Sequence, residues 1–158
     1  MSNNFKYNTK RDLDKFIEHI FEEDKLLAII IRTSFKKEGI DFFTPPDFSQ
    51  QLGYMNRPKG YKIQPHIHQR IERKIEYTQE VLFMKKGLVR VDFYKNDKTY
   101  LNSKLLNTGD VILLSSGGHG FEMLEDSEII EVKQGPFAGN IDKSRFEFVS
   151  KNQINIKK

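Results

Sequence analysis

The stretch GYKIQPHIH, residues 60–68, decides the fold expected of this chain, because it ends in two histidines separated by one residue. Side chains at positions i and i+2 of a β-strand point to the same face, so His66 and His68 would present both imidazoles to one side. Glu80 follows downstream, and Gly87 comes after six further residues. We therefore expect a returning strand that brings a carboxylate towards the two imidazoles.

A second stretch, residues 109–119, supplies a third histidine. It opens with Gly-Asp, continues through the apolar run 111–114 and ends with the sequence SSGGH at His119. Three imidazoles and one carboxylate suit a first-row divalent metal ion. Of the four histidines in the chain, three fall within this frame. The pattern predicts a metal site whose ligands are His66, His68, Glu80 and His119.

Together these stretches resemble the two motifs of the cupin superfamily. The positions that match are Gly60, His66, His68, Glu80 and Gly87 in the first motif, and Gly109, Asp110, Gly117 and His119 in the second. The resemblance implies a mainly β fold, a double-stranded β-helix or jelly-roll barrel, formed by residues 1–158 as a single domain with its motifs at 60–135. It also implies one bound divalent ion, with Fe, Mn, Ni and Zn all left open.

The gap between His68 and Glu80 is eleven residues long, and it contains a rival carboxylate, Glu72. If the strand simply continued, Glu72 would lie roughly 13 Å beyond His68 at about 3.3 Å per residue. A metal–carboxylate bond spans only about 2 Å. If the chain folds back, residues 69–79 form a hairpin extension and Glu80 arrives beside His68. We therefore expect Glu80 as the ligand, and the alternating charges of the insert predict a half-exposed strand.

Three further polar residues are candidates for a substrate pocket. Lys62 and Gln64 share strand parity with the two histidines, so they either line the cavity or lie at its edge. Arg57 precedes the first motif and is either a surface residue or an anion-binding group. No catalytic acid or base can be assigned from the sequence.

The rest of the chain is organised simply. Residues 9–24 have apolar side chains at helical spacing and predict an N-terminal amphipathic helix. The run 26–32 predicts a buried strand, which completes an N-terminal unit at about 9–34. Further strands are expected at 88–94, 99–106 and 128–133, with a hairpin turn at Asn96-Asp97, another turn at 107–110 and a C-terminal tail at 136–158.

Composition narrows the classes of function. The chain has no cysteine, which excludes disulfides and thiol nucleophiles, and its apolar runs are too short for a membrane span. We expect a cytoplasmic protein without a membrane partner. The net charge of +4 is interspersed along the chain, which argues against nucleic acid as a partner. Lys143, Arg145 and Lys151 belong to a basic C-terminal stretch, which is either a solvated surface or an attraction for an anionic ligand.

Two classes of function remain. The resemblance favours a metal-dependent enzyme of isomerase or dioxygenase type that acts on a small, oxygen-rich substrate, and it points towards sugar or surface-polysaccharide metabolism. The alternative is a cupin that binds or senses a small molecule and catalyses nothing. In either case we expect a small-molecule ligand and a homodimer that buries part of residues 9–34.

Overall fold

The computed structural model describes residues 15–139 and 141–157, and this part of the chain is mainly β. Its elements follow one another in the order β1 (Ile17–Glu22), β2 (Lys25–Ile31), β3 (Gly39–Phe42), β4 (Gly53–Asn56), β5 (Glu80–Lys86), β6 (Leu88–Tyr94), β7 (Tyr100–Asn107), β8 (Val111–Leu114), β9 (Gly118–Met123), β10 (Glu128–Lys133) and a 3₁₀ turn (Lys151–Gln153). Among these described residues there is no helix of the length and apolar character needed to cross a membrane.

The strands form two larger antiparallel sheets and one separate hairpin. The first sheet has the strand order β1-β2-β8-β5-β10, and the second has the order β7-β6-β9. Strands β3 and β4 form the hairpin. From β5 onward the chain passes from one larger sheet to the other at every connection except that between β6 and β7. Strands β5 to β10 therefore contribute to both sheets, and β1 and β2 complete the first one.

The main core lies between the two larger sheets, since both contribute buried apolar side chains to one cluster, including Leu82, Met84, Ile112, Val89, Val91 and Phe93. A second cluster covers the opposite face of the first sheet, where side chains of the β3–β4 region pack against it. Strand β2 contributes to both clusters. The buried strand predicted at 26–32 is confirmed, and its unbroken apolar run reflects cover on both faces.

The helix predicted for residues 9–24 is wrong for residues 17–22, which form β1 and pair with β2 across a two-residue turn. Residues 9–14 lie outside the described part of the chain. Ile17 and Ile20 are spaced as on a helix, but they belong to different core clusters on opposite faces of the first sheet. A bulge between Ile20 and Phe21 also breaks the alternation. Because both faces of this strand are covered, its apolar side chains recur at the spacing of a helix, and the pattern therefore predicted one.

The strand predicted for the insert 69–79 does not form. Residues 57–79 contain no helix or strand, and those from 57 to 78 are exposed. An alternating segment joins a sheet when one of its faces has apolar surface to bury. In this segment Ile71 and Ile75 lie among charged neighbours and provide little apolar surface. The second sheet consequently ends at β9, and the described strands do not close into the expected barrel.

The turns predicted around the second motif are confirmed. Strands β6 and β7 pair on either side of Asn96-Asp97, and residues 107–110 connect β7 to β8. Gly87, the last glycine of the first motif, connects β5 to β6 with a φ of 94°. A Cβ atom there would lie 2.3 Å from the Ser127 hydroxyl oxygen. Glycine is required at this connection both for its conformation and for space.

Candidate functional site

Glu80 and His119 lie next to each other where β5 and β9 begin, at one end of the space between the larger sheets. Glu80 shares the inward face of β5 with Leu82 and Met84. His119 shares the inward face of β9 with Phe121, which packs against the main core. The His119 Nε2 atom lies 3.3 Å from Glu80 Oε2. The imidazole is partly exposed, so this end of the interior is accessible to solvent.

Glu80 stays ionised over a wide pH range. The hydrogen bond from His119 is the largest cause and, together with Lys133, it lowers the pKa of Glu80 to about 2, although burial acts in the opposite direction. Lys133 Nζ lies 3.3 Å and Lys143 Nζ 4.0 Å from Glu80 Oε1. Asp142 Oδ2 lies 3.9 Å from Lys133 Nζ. We call these five residues the Glu80 cluster.

Two serines and a glycine fix the turn that presents His119. Ser115 and Ser116 donate side-chain hydrogen bonds to the Leu26 carbonyl oxygen at 2.8 Å and 2.7 Å. Gly117 follows with a φ of 72°, and a Cβ atom there would lie 2.9 Å from a backbone carbonyl oxygen. The chain therefore turns sharply before His119, and this turn is tied to β2.

The C-terminal segment 141–157 packs on the outer face of the second sheet and carries Lys143 to the Glu80 cluster. The ring of Phe146 meets that of Tyr94 edge to face, with centroids 5.0 Å apart. The backbone N–H of Val149 donates to the Tyr94 hydroxyl oxygen at 3.1 Å. This part of the C-terminal tail is thus anchored to the sheet.

His66 and His68 lie in the exposed segment 57–79. Their ring centroids are 5.1 Å apart, so the two imidazoles are neighbours, although the strand expected for them does not form. His66 Nδ1 donates to the Gln64 carbonyl oxygen at 3.0 Å, which leaves Nε2 as the nitrogen with a lone pair for a ligand. No group of three His, Asp or Glu side chains in the described residues is placed to hold a metal ion. The predicted ligand set is therefore present as two separate pairs.

The candidate pocket residues are all exposed and belong to the same part of the chain. Lys62 and Gln64 lie in the segment with the two histidines. The Arg57 guanidinium stacks over the ring of Tyr61, 4.6 Å from its centroid. The rival carboxylate Glu72 is exposed too, whereas Glu80 is buried against His119. These positions put none of the three pocket candidates in the Glu80 cluster.

Asp110, the aspartate of the second motif, belongs to a second cluster of charged side chains. Asp110 accepts hydrogen bonds from the Arg32 guanidinium at 2.8 Å and from the backbone N–H of Thr33 at 2.9 Å. Arg32 also donates to Glu18 at 2.6 Å, and Lys104 pairs with Glu18 at 2.5 Å. We call Glu18, Arg32, Lys104 and Asp110 the Arg32 cluster. Asp110 is almost completely buried, and its role in this fold is to hold strands together.

Lys133 is a member of the site that no sequence motif indicates. Lys133 lies directly opposite Glu80 in the pairing of β10 with β5. That neighbourhood depends on the register of two strands far apart in the sequence, which no local pattern reveals. Lys143 belongs to the basic C-terminal stretch, for which attraction of an anionic ligand is one of the two interpretations of the sequence.

The chain matches no protein-family model, no curated protein and no solved structure.

Proposed function

We propose that this protein is a metal-dependent member of the cupin superfamily that acts on a small, oxygen-rich substrate. The contact between Glu80 and His119 carries the proposal, because it joins the glutamate of the first motif to the histidine of the second. The two residues come from strands of different sheets. Their meeting is a consequence of the fold and not of sequence proximity.

The donor set fits a first-row divalent ion such as Fe, Mn, Ni or Zn, since these ions accept imidazole nitrogen and carboxylate oxygen. The two pairs of donors still have to meet, and β9 offers a place for this. Among the described strands β9 is paired with β6 alone, so its other edge can accept a further strand. A strand that includes His66 and His68 on that edge would bring both imidazoles beside His119.

Apolar side chains favour the same docking. Ile67, between the two histidines, is 85% exposed, and Phe148 is 65% exposed. Phe148 lies against the outer face of β9 at Gly120. If His66 and His68 face inward on the added strand, Ile67 faces outward and lies near Phe148. Both side chains would then lose exposed apolar surface, which stabilises the docked strand.

A bound ion would supply Lewis-acid chemistry and bind oxygen atoms of the substrate. The chain's own groups prepare the place: Glu80 remains ionised, and the hydrogen bond between His119 and Glu80 orients both side chains. By resemblance we favour an isomerase or dioxygenase type of reaction in sugar or surface-polysaccharide metabolism. The alternative is a cupin that binds a small molecule without converting it.

Turnover separates the enzyme from the binding protein. Protein purified without chelators is supplied with the metal found in it. It is then incubated with a panel of sugars and other small oxygen-rich compounds, and products are followed by mass spectrometry. We expect turnover that is lost in Glu80→Gln and His119→Ala and kept in Glu72→Gln, the matched carboxylate control. Ligand binding without turnover of any compound would favour the non-catalytic alternative.

We also propose a homodimer that buries part of residues 9–34, of which 15–34 are described. Among the described strands, β1 lies at an edge of the first sheet, and Phe21 on it is exposed. An edge strand with exposed apolar surface suits pairing with a second copy of the chain. Light scattering at micromolar concentration should give about twice the chain mass of 18.6 kDa. A mass near that of one chain would rule the dimer out.

A further inference from the structure

Two ammonium groups face the carboxylate of Glu80. Lys133 Nζ lies 3.3 Å and Lys143 Nζ 4.0 Å from the same oxygen atom of Glu80. Asp142 provides a second carboxylate, 3.9 Å from Lys133 Nζ. Two ammonium groups thus balance two carboxylates, with the imidazole of His119 in addition. The positive charges of the two lysines are neutralised only while the carboxylates of Glu80 and Asp142 both remain in contact with them.

The lysine contacts of the Glu80 cluster are loose. A charge-assisted N–H···O hydrogen bond typically measures about 2.7–2.9 Å. The Lys85–Glu128 pair, at 2.7 Å, lies in this range, whereas the contacts of Lys133 and Lys143 measure 3.3 to 4.0 Å. Lysine carries its charge on a flexible stem. Both ammonium groups can therefore turn towards another anion without breaking a tight ion pair.

The backbone nevertheless holds both lysines at the open end of the interior. Lys133 is the cross-strand neighbour of Glu80. Lys143 lies three residues before Phe146, whose ring packs on Tyr94. The side chains of Lys133 and Lys143 are 21% and 48% exposed, so a ligand can reach both from solvent.

We propose that Lys133 and Lys143, the ammonium pair, bind a phosphate group of the substrate. A phosphate dianion matches two ammonium groups in charge. While Glu80 is in contact with the ammonium pair, the negative charge of Glu80 competes with such an anion. When Glu80 binds a cation instead, the ammonium pair is free to bind the anion beside that cation. The inference deepens the proposed function and rests on it for the source of the cation, but the ammonium pair can be tested without metal.

Glu80→Gln removes the competing charge and keeps the size of the side chain. Metal-free protein is titrated with inorganic phosphate by calorimetry at low ionic strength, where charges are least screened. We expect Glu80→Gln to bind phosphate about tenfold more tightly than the wild type, the factor that one charge-assisted contact provides. Acetate, a monoanion, should gain less. Glu128→Gln, which removes a carboxylate from Lys85 at the surface, is the matched control and should leave the affinity unchanged.

Adding Lys133→Gln and Lys143→Gln to Glu80→Gln should abolish the gain. Asp142→Asn offers a second route, because it releases Lys133 without altering Glu80, and we expect a smaller gain of about threefold. The proposal is overturned if neither Glu80→Gln nor Asp142→Asn binds phosphate more tightly than the wild type, or if the gain survives loss of the ammonium pair. The metal content of the wild type tests the proposed function separately, because it is measured without phosphate and does not depend on the ammonium pair.

Discussion

The Arg32 cluster and the Glu80 cluster both combine carboxylates with basic side chains, but they differ in how tightly those groups are held. In the Arg32 cluster the ion pairs measure 2.5–2.8 Å. In the Glu80 cluster they measure 3.3–4.0 Å. Asp110 in the first cluster is 2% exposed, whereas Lys143 in the second is 48% exposed.

This difference separates a structural role from a binding role. The carboxylates Glu18 and Glu80 both have a pKa below the ordinary value. A lowered pKa alone therefore does not mark a functional site, since structural ion pairs lower it too. Loose contacts and access from solvent distinguish the Glu80 cluster, because its groups can exchange partners without disrupting the fold.

The largest expected effect is a loss of stability when the Arg32 cluster is broken. Arg32→Ala leaves the buried carboxylate of Asp110 without its guanidinium partner, whereas Glu18 keeps Lys104. Removing one member of a buried ion pair costs about 3–5 kcal/mol. Urea denaturation should show this decrease in the free energy of unfolding. Lys85→Ala, which removes one member of the exposed pair with Glu128, should cost less than about 1 kcal/mol. Equal losses in the two variants would contradict the structural role of the Arg32 cluster.

A smaller effect, on the order of 1–2 kcal/mol, is expected from the ionisation of Glu80. The hydrogen bond from His119 is the largest cause that lowers the pKa of Glu80 from 4.5 to about 2 in the folded protein. The resulting stabilisation is therefore fully present above about pH 4.5 and is lost as the pH falls through about 2. Urea denaturation of the wild type and Glu80→Gln should show a stability difference that shrinks over this range. A difference that stays constant as the pH falls would show that the charge of Glu80 does not stabilise the fold.

Much of the fold could be predicted from apolar patterns and turn residues. Strands β2, β6, β7 and β10 lie where local runs predicted them, because the strand period and the bounding turns are local properties. Strand β1 could not be predicted in this way. Ile17 and Ile20 fit a helix equally well, and it is the cover of both faces by distant strands that makes this segment a strand.

The candidate site was predictable only in part. Glu80 and His119 were identified from motif spacing and do lie together. Lys133 was not identified, because its place depends on the register of β10 against β5. The position of His66 and His68 depends on whether their segment pairs with an edge strand, a tertiary question that residue spacing does not answer.

Metal content tests most directly the central claim that His66, His68, Glu80 and His119 bind one divalent ion. The metal content of protein purified without chelators is measured by elemental mass spectrometry, with His19→Gln as the matched histidine control. We expect about one ion per chain in the wild type and in His19→Gln. Most of the metal should be lost in Glu80→Gln and in the double variant His66→Ala, His68→Ala, because removal of a donor weakens metal binding strongly. A double variant that keeps the wild-type metal content, or a wild type that binds no divalent ion, would contradict the claim.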